Sequence, residues 1–103
     1  MLVIDGAELF SRMQNGENLN LLDVREEIEF HTYNIGGKNI PLSGFYENID
    51  QSGYNKTDEI IVICKVGLRS ETATKILIEK GYEQARNLTG GLMALQKLIN
   101  KIS

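Results

Sequence analysis

Ile60-Ile61-Val62-Ile63-Cys64-Lys65-Val66-Gly67-Leu68-Arg69-Ser70 is the stretch on which the fold turns. Its first four residues are all β-branched and form an unbroken apolar run, the pattern of a central strand buried on both faces. Ser70 to Lys80 then reads as a helix, with Ala73, Ile76 and Leu77 inward and Gly81 just past its end. A buried strand, a six-residue loop and a helix make half of a βαβ unit, so the expectation is an α/β domain.

Outward from that centre the alternation continues. Leu2-Val3-Ile4 reads as a short strand, followed by a helix that Asp5 caps, with Glu8 at the reciprocal capping position. Leu9, Phe10 and Met13 share one face of that helix, and Asn15-Gly16 stops it. Leu19 to Val24 is a second strand, and Glu26 to Phe30 a short helix showing Ile28 and Phe30 to the core. Asn39-Ile40 is a short extended segment closed by Pro41. Residues 42–56 read as loop plus a short helix, Ala85 to Leu88 as a further strand. A last helix follows Gly90-Gly91, carrying Leu92, Leu95, Leu98, Ile99 and Ile102 at helical spacing. Five strands alternating with helices predict a three-layer α/β domain: a central, mainly parallel five-stranded sheet flanked by helices. At 103 residues the chain 1–103 is expected to be a single domain.

Composition excludes several classes of function. A net charge of −3 lacks the basic stripe that phosphate neutralisation needs, so no nucleic-acid partner is expected. Ile60 to Cys64 is the longest strongly apolar run, far too short to span a bilayer. Met1 to Ile4 has no basic start and meets Asp5 too early for a secretory leader, so a cytoplasmic location is expected. One cysteine and one histidine supply neither an internal disulfide nor a metal-ligand set, and no cofactor is expected. Monomer is the base expectation for so small a domain.

The chemistry gathers in residues 64–70. Cys64 ends a buried strand, and the carboxyl ends of parallel strands are where ligands bind. The tight loop after it turns backbone N–H groups inward, and the following helix N-terminus adds partial positive charge. Lys65 and Arg69 flank the loop, so every local field favours thiolate over thiol. Gly67 suits a backbone with positive φ or a close approach. Arg69 sits at the unfavourable end of the helix dipole, which is easier to understand if an anion occupies the loop. A lone cysteine after four aliphatic residues reads, taken alone, as an inert core residue. The lysine, glycine and arginine that follow reverse that reading, because an apolar core site has no use for them.

Four segments carry a family resemblance. Cys64 to Ser70 resembles the active-site loop of rhodanese-type sulfurtransferases, a cysteine followed by five loop residues. Leu21-Leu22-Asp23-Val24-Arg25-Glu26, with Glu29-Phe30, resembles the family's first signature. Asn34-Ile35-Gly36-Gly37-Lys38-Asn39-Ile40-Pro41-Leu42 resembles its second. Asn87-Leu88-Thr89-Gly90-Gly91-Leu92 resembles the glycine pair before the last helix. They occur in family order over roughly residues 19 to 98. Asn34 replaces a common histidine, Lys38 an alanine, and the last helix has Leu95 near a usual tryptophan. In these departures the chain is similar to the rhodanese-like tails of adenylating enzymes in sulfur-cofactor synthesis.

The resemblance implies a sulfurtransferase in which Cys64 carries a sulfane sulfur as a persulfide. A small anionic donor such as thiosulfate delivers the sulfur; a thiol, cyanide or a protein acceptor removes it. Lys65, Val66, Gly67, Leu68, Arg69 and Ser70 bind substrate, the amides holding the persulfide and the two cations attracting the donor. Asp23 and Arg25 follow a strand and are read as supporting residues, a salt bridge or loop brace at the same sheet edge. Gly90 and Gly91 are expected to let the chain pass close to the loop. Tyr33, Phe45 and Tyr46 are pocket-wall or packing residues; Glu26, Glu27, Glu29 and His31 are read as solvated. Three rivals stand beside this reading. A cysteine phosphatase places arginine six positions after cysteine, where this chain has Ser70. A binding module of the family without activity usually lacks the cysteine. A carrier loaded by a protein partner shares every feature above.

Overall fold

The computed structural model describes residues 2–102. Five strands, β1 (Leu2–Ile4), β2 (Leu21–Asp23), β3 (Lys38–Asn39), β4 (Ile60–Ile63) and β5 (Ala85–Leu88), form one sheet in the order β1-β5-β4-β2-β3. Every pairing is parallel, with Leu22 opposite Val62 and Val62 opposite Asn87. The helices are α1 (Gly6–Gln14), α2 (Glu27–Thr32), α3 (Phe45–Asn48), α4 (Leu68–Glu79) and α5 (Gly91–Ile102), with a 3-10 turn at Ile49–Gln51.

Strand alternation divides the core into two halves. Leu22, Ile60, Val62 and Ala85 face one side, against Phe45, Ile49, Ala73, Leu77 and Tyr82. Leu21, Ile61, Ile63 and Leu88 face the other, against Leu9, Leu92 and Leu95. The sheet is therefore the middle of three layers, and β4 is its fully buried centre, as its β-branched run predicts. Asp5 caps α1 by accepting the Glu8 amide at 2.8 Å. None of the helices among the described residues is long and apolar enough to cross a membrane.

Two local expectations are corrected, and the alternatives left open for Phe45 and Tyr46 are decided. The helix α2 buries no residue: Ile28 is 77 % exposed and Phe30 only half-buried. A helix of under two turns is too short to present a stripe, and α2 is instead anchored by a Glu26–Glu29 capping box and an ion pair described below. Helix α4 begins at Leu68 rather than Ser70, because Gly67 at φ 98° serves as its cap. Phe45 belongs to the core, whereas Tyr46 is exposed beneath the Lys80 ammonium.

The far end of the sheet is tied by charge. Arg12 forks onto Glu59 at 2.6 and 3.0 Å, and Arg86 reaches Glu8 and Glu59. Arg86 also donates to the carbonyl of Val3 on edge strand β1, at 2.8 and 3.1 Å.

Candidate active site

Cys64 is the first residue beyond β4, at the carboxyl end of the sheet, and is 1 % exposed. Its Sγ accepts the Gly67 amide at 3.1 Å and the Ser70 amide at 3.3 Å. The loop thus curls around the sulfur and delivers two N–H dipoles to it. The amides of Lys65, Val66, Leu68 and Arg69 have no protein acceptor among the described residues, those of Leu68 and Arg69 because they lie in the free first turn of α4. Gly67 makes the curl possible: its φ is positive, and a Cβ there would lie 3.1 Å from the Gly90 amide nitrogen. Gly91 is tighter still, since a Cβ would meet Lys65 and Cys64 backbone atoms at 2.5–2.6 Å. That approach lets Leu92 and Met93 donate to the carbonyls of Cys64 and Lys65 at 2.9 and 3.0 Å. The two glycine-bearing loops are therefore laced together, as expected of Gly90 and Gly91.

Ser70 is fully buried, its Oγ 3.2 Å from Sγ and 2.5 Å from Oδ1 of Asn87. The Asn87 amide nitrogen donates to the Gly67 carbonyl at 3.3 Å. Asn87 therefore bridges both residues whose amides point at the sulfur. In the sequence Asn87 stands out only as part of the Asn87–Leu92 motif; the signal of its role is an uncharged polar residue in a buried strand.

Asp23 and Arg25 meet beside the neighbouring loop. Their buried ion pair closes at 2.7 Å, and Arg25 also donates to the Tyr33 carbonyl at 2.7 Å. Asn39 donates to the carbonyls of Asp23 and Arg25 at 3.0 and 2.9 Å.

The cations differ from expectation. Arg69 donates to both oxygens of Glu29, at 2.7 and 3.0 Å. Glu29 is therefore not a solvated residue: Arg69, then the Glu26 amide, holds its carboxyl at about 2. The same pair raises Arg69 above its ordinary range. The charge that compensates Arg69 at the helix N-terminus comes from the chain itself. Lys65 stays exposed, with no carboxylate partner among the described residues. His31 is exposed on α2 and packs edge-on against Phe30 at 5.8 Å.

Beside the loop opens a groove of about 550 Å³. Its walls include Ile28, Tyr33, Leu92 and Met93, with Lys65 and Gln96 among its polar members. Tyr33 is thus a wall residue, fixed by donating from its hydroxyl to Gln96 at 2.9 Å. Val66 and Leu68, on the loop itself, are 47 % and 71 % exposed.

Comparison with known proteins agrees with this geometry. The profile of the rhodanese-like domain matches residues 6–98. YrkF, a candidate sulfur carrier protein of Bacillus subtilis, is 34 % identical over 82 residues, which cover 79 % of this chain and 43 % of YrkF. The adenylyltransferase and sulfurtransferase MOCS3-1 of Zea mays is 35 % identical over 86 residues, covering 78 % of this chain and 18 % of that protein. This chain thus spans less than half the length of these relatives. A rhodanese-like domain protein from Staphylococcus aureus superposes with a TM-score of 0.81 at 27 % identity, over 92 % of this chain and 91 % of that one. The human single-domain sulfurtransferase TSTD1 gives 0.78 at 27 % identity, over 100 % and 99 %. With the profile matched from the first helix into the last, and the fold shared end to end with single-domain proteins, this chain belongs to the rhodanese-like domain family of sulfur carriers and sulfurtransferases.

Proposed function

We propose that this domain moves a sulfane sulfur from a donor such as thiosulfate to a thiophilic acceptor through a persulfide on Cys64. The observation that carries the reading is the sulfur itself, set at the end of the central strand with two amides donating to it. Those dipoles stabilise a negative sulfur, and a thiolate needs no general base to act as nucleophile. The thiolate attacks the outer sulfur of thiosulfate, the S–S bond breaks, and sulfite leaves with the electron pair. The product is a Cys64 persulfide whose outer sulfur projects into the loop, where the remaining amides of Lys65, Val66, Leu68 and Arg69 have no acceptor among the described residues. An acceptor thiolate or cyanide attacks that outer sulfur and Cys64 thiolate is released, which is ping-pong catalysis. Lys65 supplies the local attraction for an anionic donor.

A second reading, a carrier loaded by a protein partner, draws support from the surroundings. Arg69 is engaged by Glu29, which weakens recruitment of a small anion. Ile28, Val66, Leu68 and Met93 expose apolar surface around the loop, as a protein contact would need.

Intact-protein mass after brief incubation with thiosulfate, wild type beside Cys64→Ser, tests the proposal. A gain of one sulfur atom in wild type alone, removed by cyanide, is the expected result. No gain in wild type would overturn thiosulfate as donor, and loading from a cysteine persulfide on a partner protein would then identify a carrier.

A further inference from the structure

We infer that Glu29 sets the donor preference of the Cys64 loop: by occupying the Arg69 guanidinium it disfavours dianionic sulfur donors relative to monoanionic ones of the same chemistry. The inference rests on the reading of Cys64 as a persulfide carrier.

Three cations stand around the loop, and two are neutralised. Arg25 is paired with Asp23 inside the protein. Arg69 is held by both oxygens of Glu29, and the carboxylate is fixed in that place because its Oε1 also accepts the Glu26 amide at 3.1 Å. Of the three, Lys65 alone has no carboxylate partner among the described residues. Glu26 also lies close enough to Arg69 to raise it, so the three cations face three carboxylates, and loss of the Glu29 charge would leave one net positive charge. Glu29 stays ionised to acidic pH, so protonation does not relieve the neutralisation wherever a thiolate exists.

The Coulomb energy of an incoming donor scales with its own charge. Removing one carboxylate therefore helps a dianion about twice as much, in free energy, as a monoanion. Thiosulfate and methanethiosulfonate supply that contrast with one mechanism. In each, the Cys64 thiolate attacks the terminal sulfur and the bond to the oxidised sulfur breaks. Sulfite leaves from the first and methanesulfinate from the second, each with the electron pair, and the same Cys64 persulfide remains.

The test is the second-order rate of Cys64 persulfidation by each donor, read by intact mass, in wild type, Glu29→Gln, Glu27→Gln and Arg69→Gln. Glutamine at 29 keeps an oxygen for the Glu26 amide, so α2 retains its cap. Glu29→Gln is expected to raise the thiosulfate-to-methanethiosulfonate rate ratio about five-fold at low salt, less at high salt. Glu27→Gln, an equal charge change at an exposed position of the same helix, should move the ratio less than about two-fold. Arg69→Gln, which leaves Glu29 without its cation, should lower it. An unmoved ratio in Glu29→Gln with both donors still loading Cys64 overturns the inference alone, as does an equal rise in Glu27→Gln. Failure of both donors to load wild type and Glu29→Gln overturns the persulfide reading and this inference together.

Discussion

Replacing Asn87 by leucine, a side chain of similar size, removes the bridge beneath the Cys64 loop without opening a cavity. The Gly67 carbonyl can only accept, so the Asn87 amide nitrogen must face it and Oδ1 must face Ser70. At 2.5 Å that oxygen takes the single hydroxyl proton of Ser70. Leucine abolishes both hydrogen bonds, yet neither partner is wholly orphaned. The Ser70 hydroxyl turns to the sulfur at 3.2 Å, and the Gly67 carbonyl keeps the Glu71 amide at 3.2 Å. Two lost bonds at about 1 kcal/mol each, partly offset by apolar burial of leucine, give a loss of about 1–2 kcal/mol. For a chain of this size that lowers Tm by roughly 5–15 °C. Urea unfolding followed by circular dichroism should show a lower midpoint with an unchanged slope. Combined with Ser70→Ala, the double variant should cost less than the sum of the singles by about 1 kcal/mol, because the two share one bond. Additive singles, or an Asn87→Leu protein as stable as wild type, would refute the bridge.

Gly91→Ala places a methyl group 2.5 Å from the Lys65 carbonyl at a φ of +62°, so the two loops must part. Strain plus the loss of both lacing hydrogen bonds should cost about 3 kcal/mol, with persulfide formation slowed on the order of ten-fold; wild-type loading by mass would contradict it. Asp23→Asn leaves Arg25 buried without a counter-charge and should lose about 3–5 kcal/mol in urea unfolding, whereas the Asp23→Leu, Arg25→Met pair should lose much less. Glu29 is depressed in the folded state, so its contribution is complete above the ordinary carboxylate value of 4.5 and disappears as pH falls toward 2. The stability advantage of wild type over Glu29→Gln should be level near neutral pH and vanish across that acid window; an advantage that grows on acidification would count against the ion pair.

What was legible in the sequence followed range of interaction. Ile60–Ile63 announces a central strand because burial on both faces needs an unbroken apolar run, and Leu21-Leu22 divides between the two faces as a strand must. Cys64, Gly67 and Ser70 lie within six residues, so the loop that brings them together is a local event. Arg69 at a helix N-terminus signals the need for an opposing charge, but Glu29 stands 40 residues away and only the tertiary fold pairs them. The Ser70–Asn87 bridge spans 17 residues and crosses from a helix to a strand. Helix α2 misled because six residues carry too little periodicity to separate an inward apolar face from an exposed one, and Ile28 is exposed.

The Arg86 fork on Val3 bears on how molecules of this protein meet each other. Thr89 of the β5 segment donates to the carbonyl of Ile4, so the alternation along β1 turns the Val3 carbonyl toward the open border of the sheet. There an unpaired acceptor, flanked by half-exposed Leu2 and Val3, would offer a template on which a foreign strand could grow. The guanidinium fills the acceptor and sets a positive charge at the border, while the opposite border, β3, is two residues long. Both sides of the sheet thus resist polymerisation by different devices, and Arg86→Leu should leave a folded protein that aggregates sooner on mild heating.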